Sequence, residues 1–208
     1  KALNTVLDAC QPQPDDTIVT LGDYIDRGED TPGTIERLMQ LRSECKFYPL
    51  IGNHEDLLLQ VLDGGMLNLQ AWLDFGGYQT LQSYGVKSPE QIPNEHIDFL
   101  RSCYPWLQNK EHIFVHGNYL ERRTLDKQPR EVLLWESLRD RTPGPHKSGK
   151  RAIVGHTSQK NGEILNLGYL LCIDTYCYGG GWLTALDIYS GKVWQADQSG
   201  NLRILVPR

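Results

Sequence analysis

Two short polar segments of the chain carry residue types suited to metal and phosphate chemistry. Gly22-Asp23-Tyr24-Ile25-Asp26-Arg27-Gly28 follows the apolar run 17–21, and Gly52-Asn53-His54-Glu55 follows the apolar run 47–51. Each run predicts a buried strand, so each segment is expected at the carboxyl end of a sheet, where open α/β sheets bind ligands. Carboxylate, amide and imidazole groups serve as metal ligands or as acids and bases. The pair of segments therefore predicts metal-assisted phosphate chemistry.

Two later apolar runs also end in histidine. Residues 112–118 end in His116-Gly117-Asn118, and residues 151–157 end in Gly155-His156-Thr157. One histidine at a strand end is usually structural, but four strand ends that carry Asp, Asn and His indicate one shared site. Oxygen and imidazole ligands together favour manganese, iron or zinc over calcium. Two such ions, bridged by a carboxylate, would bind a phosphoryl oxygen and lower the pKa of a shared water.

The surrounding pattern predicts the elements that position these residues. Helices are expected over 2–9, 31–43 and 56–62, as a helical insert over about 66–103, and as a short helix within 129–141. Strands are expected over 17–21, 47–51, 112–118 and 151–157, followed by short strands near 163–166, 169–173, 182–188 and 192–196. This order of strands and helices predicts an α/β fold.

The composition limits the class of protein. A chain of 208 residues, 39% apolar and 23% charged, fits one soluble domain, which we place over 1–204. The net charge of −5 disfavours nucleic acid as the main partner. No apolar run approaches the roughly 18 residues of a membrane span, and five scattered cysteines favour a reducing cytoplasm. Residues 205–208, Leu-Val-Pro-Arg, match a protease-site tag remnant and are excluded from the fold argument.

In their order along the chain, the four motifs resemble the phosphoprotein phosphatase family of the calcineurin-like metallophosphoesterases, in particular bacterial serine/threonine phosphatases of the bacteriophage lambda type. The resemblance implies a four-layer α/β/β/α sandwich with a helical insert. It also implies a phosphomonoesterase with a dinuclear metal centre and a metal-bound water. The ions would be manganese, with iron or zinc as alternatives. The substrate would be a phosphorylated protein or a small phosphate ester, with no nucleic acid or membrane as partner.

The resemblance also implies the metal ligands. Asp23 resembles the carboxylate that bridges the two ions, and Asn53, His116 and His156 resemble the other ligands of the second ion. The family holds its first ion with an upstream Gly-Asp-x-His-Gly element, but no histidine precedes His54 in this sequence. Either the natural protein carries this element before the given residues, or the chain binds at most the second ion well. We expect the former, because the sequence begins inside a predicted helix.

The remaining roles concern proton transfer and phosphate binding. His54 resembles the general acid that protonates the leaving oxygen, and Asp26 resembles the carboxylate that orients it. Arg27 offers a planar fork of donors that suits two phosphate oxygens. A tryptophan-led segment ending in Arg139 resembles the one that bears the family's second phosphate arginine, although the nearby Arg141 competes for this assignment.

Alternatives stay open at three points. The chain could hydrolyse symmetrical dinucleoside tetraphosphates, because such enzymes share every metal motif, or it could be a non-catalytic phosphate-binding module without the first metal. The insert could shape substrate access or simply cover the core. Tyr176 and Tyr178 could line the site or pack at its rim, while His96, His112 and His146 are expected to be structural.

Overall fold

The computed structural model of the chain describes residues 1–64 and 69–206. The helices in these residues are α1 (Ala2–Cys10), α2 (Thr31–Glu44), α3 (Asn53–Leu62), α4 (Leu69–Trp72), α5 (Tyr78–Tyr84), α6 (Asn94–Arg101) and α7 (Arg130–Leu134). The strands are β1 (Thr17–Thr20), β2 (Lys46–Pro49), β3 (Trp106–Gln108), β4 (His112–Val115), β5 (Arg151–Val154), β6 (Leu165–Asn166), β7 (Leu170–Cys172), β8 (Leu183–Leu186), β9 (Val193–Ala196) and β10 (Leu202–Leu205).

The strands of the described residues form three sheets. The largest has the order β3-β4-β5-β7-β6, in which β4, β5 and β7 run parallel and the two outer strands run antiparallel. Strands β1 and β2 form a parallel pair, and β8, β9 and β10 form an antiparallel sheet. Each of β1, β2, β4 and β5 leads directly into one of the polar motifs, so parallel pairing gathers these motifs at the carboxyl ends of the strands.

A buried apolar layer joins the sheets face to face. Leu50 after β2 packs with Phe114, Ile153 and Leu171 of the five-stranded sheet, and side chains from β1 and β8 complete this cluster. Full burial of each such side chain contributes about 1.5–3 kcal/mol. The helices α2, α3, α5 and α6 supply a second and larger core. The layered arrangement of sheets and helices confirms the predicted α/β fold class.

Several element boundaries differ from the predictions. The strands predicted over 112–118 and 151–157 end at Val115 and Val154, so both motif histidines lie in the loops that follow. The helix predicted over 56–62 begins at Asn53, because the Glu55 carboxylate accepts the Gly52 N–H and caps the first turn. The predictions omitted β3 and β10, whereas the short helix α7 lies within the predicted range 129–141.

The insert and the carboxyl terminus were predicted only in part. The described part of the insert contains α4, a π-helical turn over Leu73–Gly77, α5, a 3-10 turn and α6. Its predicted residues 66–68, together with residues 207 and 208 of the expected tag, lie outside the described residues. Leu205, which the sequence argument left out of the fold, pairs with Val193 as the last residue of β10. None of the helices in residues 1–64 and 69–206 has the length and apolar character needed to cross a bilayer.

Candidate metal and phosphate site

The four predicted metal ligands lie close together just beyond the carboxyl ends of β1, β2, β4 and β5. The Asn53 Oδ1 atom lies 3.0 Å from His116 Nε2 and 2.9 Å from His156 Nδ1. The Asp23 Oδ1 atom lies 3.4 Å from His116 Nε2. One ligand atom from each of Asp23, His116 and His156 lies within 4.8 Å of the other two. Two oxygen and two imidazole ligands therefore converge from four different segments.

The loop after β1 must approach the start of α3 very closely to bring Asp23 near Asn53. Gly22 makes this possible, because its backbone takes a φ of +95°. A Cβ atom at this position would lie 2.5 Å from the Gly52 amide nitrogen. Any other residue would force the two motifs apart, so the glycine is required by this contact.

The hydrogen bonding of the two histidines fits a bound cation. His116 Nδ1 lies 2.5 Å from the Leu21 carbonyl oxygen, and His156 Nε2 lies 3.1 Å from the Trp135 carbonyl oxygen. A neutral imidazole has a single N–H, and we assign it to the nitrogen of each ring that faces this carbonyl. The second nitrogen of each ring then presents a lone pair to the Asn53 amide oxygen. Such lone pairs repel one another unless a cation lies among them, and this donor set suits manganese, iron or zinc.

The protonation states of Asp23 and His156 also suit a bound metal ion. Burial alone would raise the pKa of the Asp23 carboxyl, but the imidazoles of His116, His54 and His156 outweigh burial and lower it. Burial and the neighbouring His116 lower the pKa of His156 to about 4. Near neutral pH the site therefore offers an ionised carboxylate and a neutral His156 ring, which are the protonation states that bind a metal.

Glu55 holds the two motifs together, a role that the sequence argument missed. Its buried carboxylate accepts the N–H groups of Asp23 at 2.9 Å and of Gly52 at 2.8 Å through Oε2. Through Oε1 it accepts the N–H groups of Tyr24 at 2.7 Å and of Ile25 at 3.3 Å. One side chain thus fixes the backbone that begins at Asp23 and the backbone that directly precedes Asn53. Its place directly after Asn53-His54 was visible in the sequence, but its partners 30 residues away were not.

Beside the predicted metal ligands, Asp26 and His54 form a buried pair. His54 Nδ1 donates to Asp26 Oδ2 at 2.7 Å, as the proposed orientation of an acid would require. Burial alone would lower the pKa of His54, but the hydrogen bond with Asp26 and the charge of Asp23 raise it above its ordinary value. The imidazole therefore retains its proton to a higher pH than a free histidine, and its Nε2 is the nitrogen left to deliver one.

The site is built on backbone conformations that are unfavourable for most residues. Asp23, Asp26, Arg27 and His156 all have a φ between 59° and 68°. The left-handed conformation costs a non-glycine residue about 1–2 kcal/mol. Such residues persist where the surrounding contacts over-determine them, and they cluster at functional sites. Four of the predicted site residues share this property, which no sequence pattern indicated.

The two arginines assigned to phosphate differ from Arg141 in their partners. The Arg27 guanidinium stacks 4.4 Å from the centre of the Tyr178 ring, which places Tyr178 at the rim of the site. Arg139 is exposed and donates from Nη2 to the Ser158 carbonyl oxygen at 2.5 Å. Arg141, in contrast, pairs with Glu136 at 2.6 Å and with a second glutamate. The geometry therefore favours Arg139 over Arg141 as an available cation.

Trp135 contributes through its backbone and its indole. Its carbonyl oxygen orients His156, while its Nε1 donates to the buried Asp56 carboxylate at 3.1 Å. Arg130 also binds this carboxylate, at 2.6 Å. Asp56 therefore fixes the position of Trp135, whose carbonyl contacts His156, and no sequence pattern indicated this role.

The histidines outside the motifs have other partners. His96 Nδ1 lies 2.6 Å from the Tyr84 hydroxyl within the insert, and His146 Nδ1 lies 2.7 Å from the Ser148 hydroxyl. Burial lowers the pKa of His112, whose Nδ1 has no hydrogen-bond partner among the described residues. The ring of Tyr176 packs against Tyr178 with centroids 4.8 Å apart.

Comparisons with known proteins agree with this geometry. A family model described as calcineurin-like phosphoesterase matches residues 1–185. A solved structure named as a candidate diadenosine tetraphosphatase is similar at 17% identity and a TM-score of 0.65, covering 100% of this chain and 88% of its own. A cold-active protein tyrosine phosphatase is similar at 17% identity and a TM-score of 0.67, and the match covers 98% of this chain and 74% of the phosphatase chain. A third similar structure is a cold-active protein tyrosine phosphatase from a psychrophilic Shewanella species, at 16% identity and a TM-score of 0.64. This match covers 98% of this chain and 76% of the phosphatase chain. No curated protein matches the sequence.

Proposed function

Because the chain belongs to the calcineurin-like phosphoesterase family, we propose that it is a metal-dependent phosphomonoesterase, and specifically a serine/threonine protein phosphatase. The observation that carries the proposal is the convergence of Asn53 Oδ1 on two imidazoles at 2.9 and 3.0 Å. This ligand group lies beside a buried carboxylate–imidazole pair, and the Arg27 guanidinium is close enough to help lower the pKa of Asp23. A metal site, an acid and phosphate-binding cations are the parts that phosphoester hydrolysis requires.

The proposed cofactor is a pair of divalent ions, with manganese expected and iron or zinc as alternatives. Asp23 would bridge the pair, and Asn53, His116 and His156 would complete the ligands of one ion. When bound, such ions polarise phosphoryl oxygens and lower the pKa of a coordinated water. The ligands of the other ion remain a prediction, which rests on the family's Gly-Asp-x-His-Gly element.

The chain's own residues would supply orientation and proton transfer. Arg27 and Arg139 would bind the non-bridging phosphate oxygens, because a guanidinium matches two such oxygens at once. His54 Nε2 would give its proton to the departing serine or threonine oxygen, leaving a neutral ring. Asp26 would hold the ring through Nδ1 and stabilise its charged form before transfer.

A second candidate substrate is a dinucleoside tetraphosphate. It is supported by the similarity to the candidate diadenosine tetraphosphatase, which covers 100% of this chain. Similarity to tyrosine phosphatases also places phosphotyrosine among the substrates to be tested. We favour phosphoserine and phosphothreonine because the motifs and their order resemble those of protein phosphatases.

A substrate panel tests the proposal. The manganese-loaded protein is incubated with phosphoserine, phosphothreonine and phosphotyrosine peptides and with diadenosine tetraphosphate, and kcat/KM is measured for each. Higher kcat/KM for the first two peptides supports the proposed specificity. A preference for diadenosine tetraphosphate would replace it with the second candidate. Failure to retain metal, together with no turnover of any substrate, would favour the non-catalytic phosphate-binding module, whereas two tightly bound ions per chain would favour the enzyme.

A further inference from the structure

One hydroxyl group of the helical insert contacts the acid pair. Thr80 Oγ1, on α5, accepts the Asp26 N–H at 2.8 Å and donates to Asp26 Oδ1 at 2.7 Å. The other oxygen of this carboxylate, Oδ2, binds His54. Thr80 is fully buried. A continuous chain of hydrogen bonds therefore runs from the insert through Asp26 to the imidazole.

The insert makes a second contact with the same loop at Gly76. The Arg27 N–H donates to the Gly76 carbonyl oxygen at 3.3 Å. A Cβ atom on Gly76 would lie 2.9 Å from Arg27 Cγ and 3.1 Å from Asp26 Cβ. Gly76 also has a φ of +122°, which side chains rarely permit. The insert therefore approaches the Asp26-Arg27 backbone as closely as a glycine allows.

These contacts stabilise an unfavourable backbone conformation of the loop. Asp26 and Arg27 are consecutive residues with φ values of 68° and 60°, a conformation that needs support from outside the loop. A hydroxyl accepts and donates through one atom, so Thr80 can bind both the amide and the carboxylate of one residue. Its donation to Oδ1 fixes the rotation of the carboxylate and thereby directs Oδ2 at His54.

We propose that Thr80 is a positioning residue for the Asp26–His54 acid pair, and that the insert holds the reactive loop in addition to covering the core. The proposal rests on the proposed phosphomonoester hydrolysis. Thr80 touches no reacting atom; it acts through Asp26. Removal of its hydroxyl should let the carboxylate rotate, so that the imidazole loses its fixed orientation toward the leaving oxygen.

The test compares two leaving groups in the Thr80→Val variant, which keeps the shape of the side chain and loses the hydroxyl. A phosphoserine peptide has a poor leaving group that needs a proton, whereas 4-nitrophenyl phosphate has a good one that hardly does. We expect kcat to fall about 10- to 100-fold for the peptide, because misplaced catalytic groups cost on this order, and to fall much less for 4-nitrophenyl phosphate. Thr80→Ser retains the hydroxyl and should restore the wild-type ratio of the two kcat values.

Ser83→Ala is the matched control on the same helix. The Ser83 hydroxyl donates to the Thr80 carbonyl oxygen at 2.8 Å and contacts no residue of the acid pair. This variant also loses one hydroxyl from α5, and we expect its ratio of kcat values to equal that of the wild type. If Thr80→Val does not fold, Thr80→Ala takes its place, because the smaller side chain leaves room for water at Asp26.

A spectroscopic measurement on metal-free protein adds a readout besides activity. The proton on His54 Nδ1 should give a far-downfield ¹H NMR signal because of its short bond to Asp26. This signal should shift or disappear in Thr80→Val and persist in Ser83→Ala. An unchanged signal together with equal losses of kcat on both substrates would overturn the role of Thr80 while leaving the proposed function intact. A wild-type protein inactive on both substrates would instead contradict the proposed function.

Discussion

The carboxylate of Asp26 and the imidazole of His54 lie 2.7 Å apart with almost no exposure to solvent, at 0% and 3% of their side-chain surfaces. A charge-assisted hydrogen bond of this kind is strong because water does not compete for either partner. The hydrogen bond of this pair uses none of the atoms that converge on Asn53. Proton transfer and metal binding can therefore be tested independently.

The acid role of His54 predicts a selective loss of turnover. In His54→Asn, kcat for a phosphoserine peptide should fall about 10²- to 10⁴-fold, the usual contribution of general acid catalysis. Manganese content, measured by mass spectrometry after dialysis, should remain at the wild-type level. Wild-type turnover of the phosphoserine peptide by this variant would refute the role.

Because Arg27 and Arg139 differ from Arg141 in their partners, we predict different effects when each arginine is replaced by lysine. Arg27→Lys and Arg139→Lys should each lower kcat/KM by about 10- to 100-fold, because lysine cannot bind two phosphate oxygens with a planar fork. Arg141→Lys should keep kcat/KM and lower the free energy of unfolding by about 1 kcal/mol, the usual range for partly exposed ion pairs. Steady-state kinetics and urea denaturation measure both effects. Loss of kcat/KM only in Arg141→Lys would reverse the assignment.

The buried carboxylate of Glu55 predicts a large effect on stability. Glu55→Gln replaces one acceptor oxygen with an NH₂ group that faces backbone N–H donors, so buried donors lose their partner. The free energy of unfolding should fall by about 3 kcal/mol, as measured by urea denaturation of metal-free protein. The exposed Glu95 is the matched control, since Glu95→Gln should change it by no more than about 0.5 kcal/mol. Equal effects of both substitutions would exclude this role of Glu55.

The buried His112 predicts a pH dependence of stability. Burial lowers the pKa of His112 in the folded state, with smaller and opposing effects of Glu111 and Arg151. The unfolded chain then binds the additional proton below about pH 6.5, so this residue makes stability fall as pH decreases. The free energy of unfolding of metal-free protein is measured between pH 7 and pH 5. It should decrease less in His112→Phe than in the wild type, and the difference should develop below about pH 6.5, where an unfolded histidine binds its proton. Parallel curves would contradict the prediction.

Sequence patterns were informative where a residue's role depends on its immediate neighbours. Apolar runs located β1, β4 and β5, and the motif that follows each of these strands brought Asp23, His116 and His156 to one site. The positions of these residues follow from parallel strands that end at the same edge of a sheet. The α/β fold class could be predicted for the same reason.

Contacts between distant segments could not be predicted in this way. Thr80 lies 54 residues from Asp26, and no spacing or periodicity connects them. The choice between Arg139 and Arg141 depends on glutamates at positions 121 and 136, both of which form ion pairs with Arg141. Strand β10 was missed because its end coincides with the supposed tag. In each case a three-dimensional partner decides the role of the residue.

Metal binding by the wild type and by a ligand variant tests the central claim most directly. The wild type and His116→Ala/His156→Ala are dialysed against a chelator, reloaded with manganese and analysed for bound metal and for turnover of a phosphoserine peptide. We predict stoichiometric manganese in the wild type, turnover that returns only on reloading, and loss of both in the variant. Equal metal content in the two proteins, or turnover that a chelator leaves unchanged, would contradict the account.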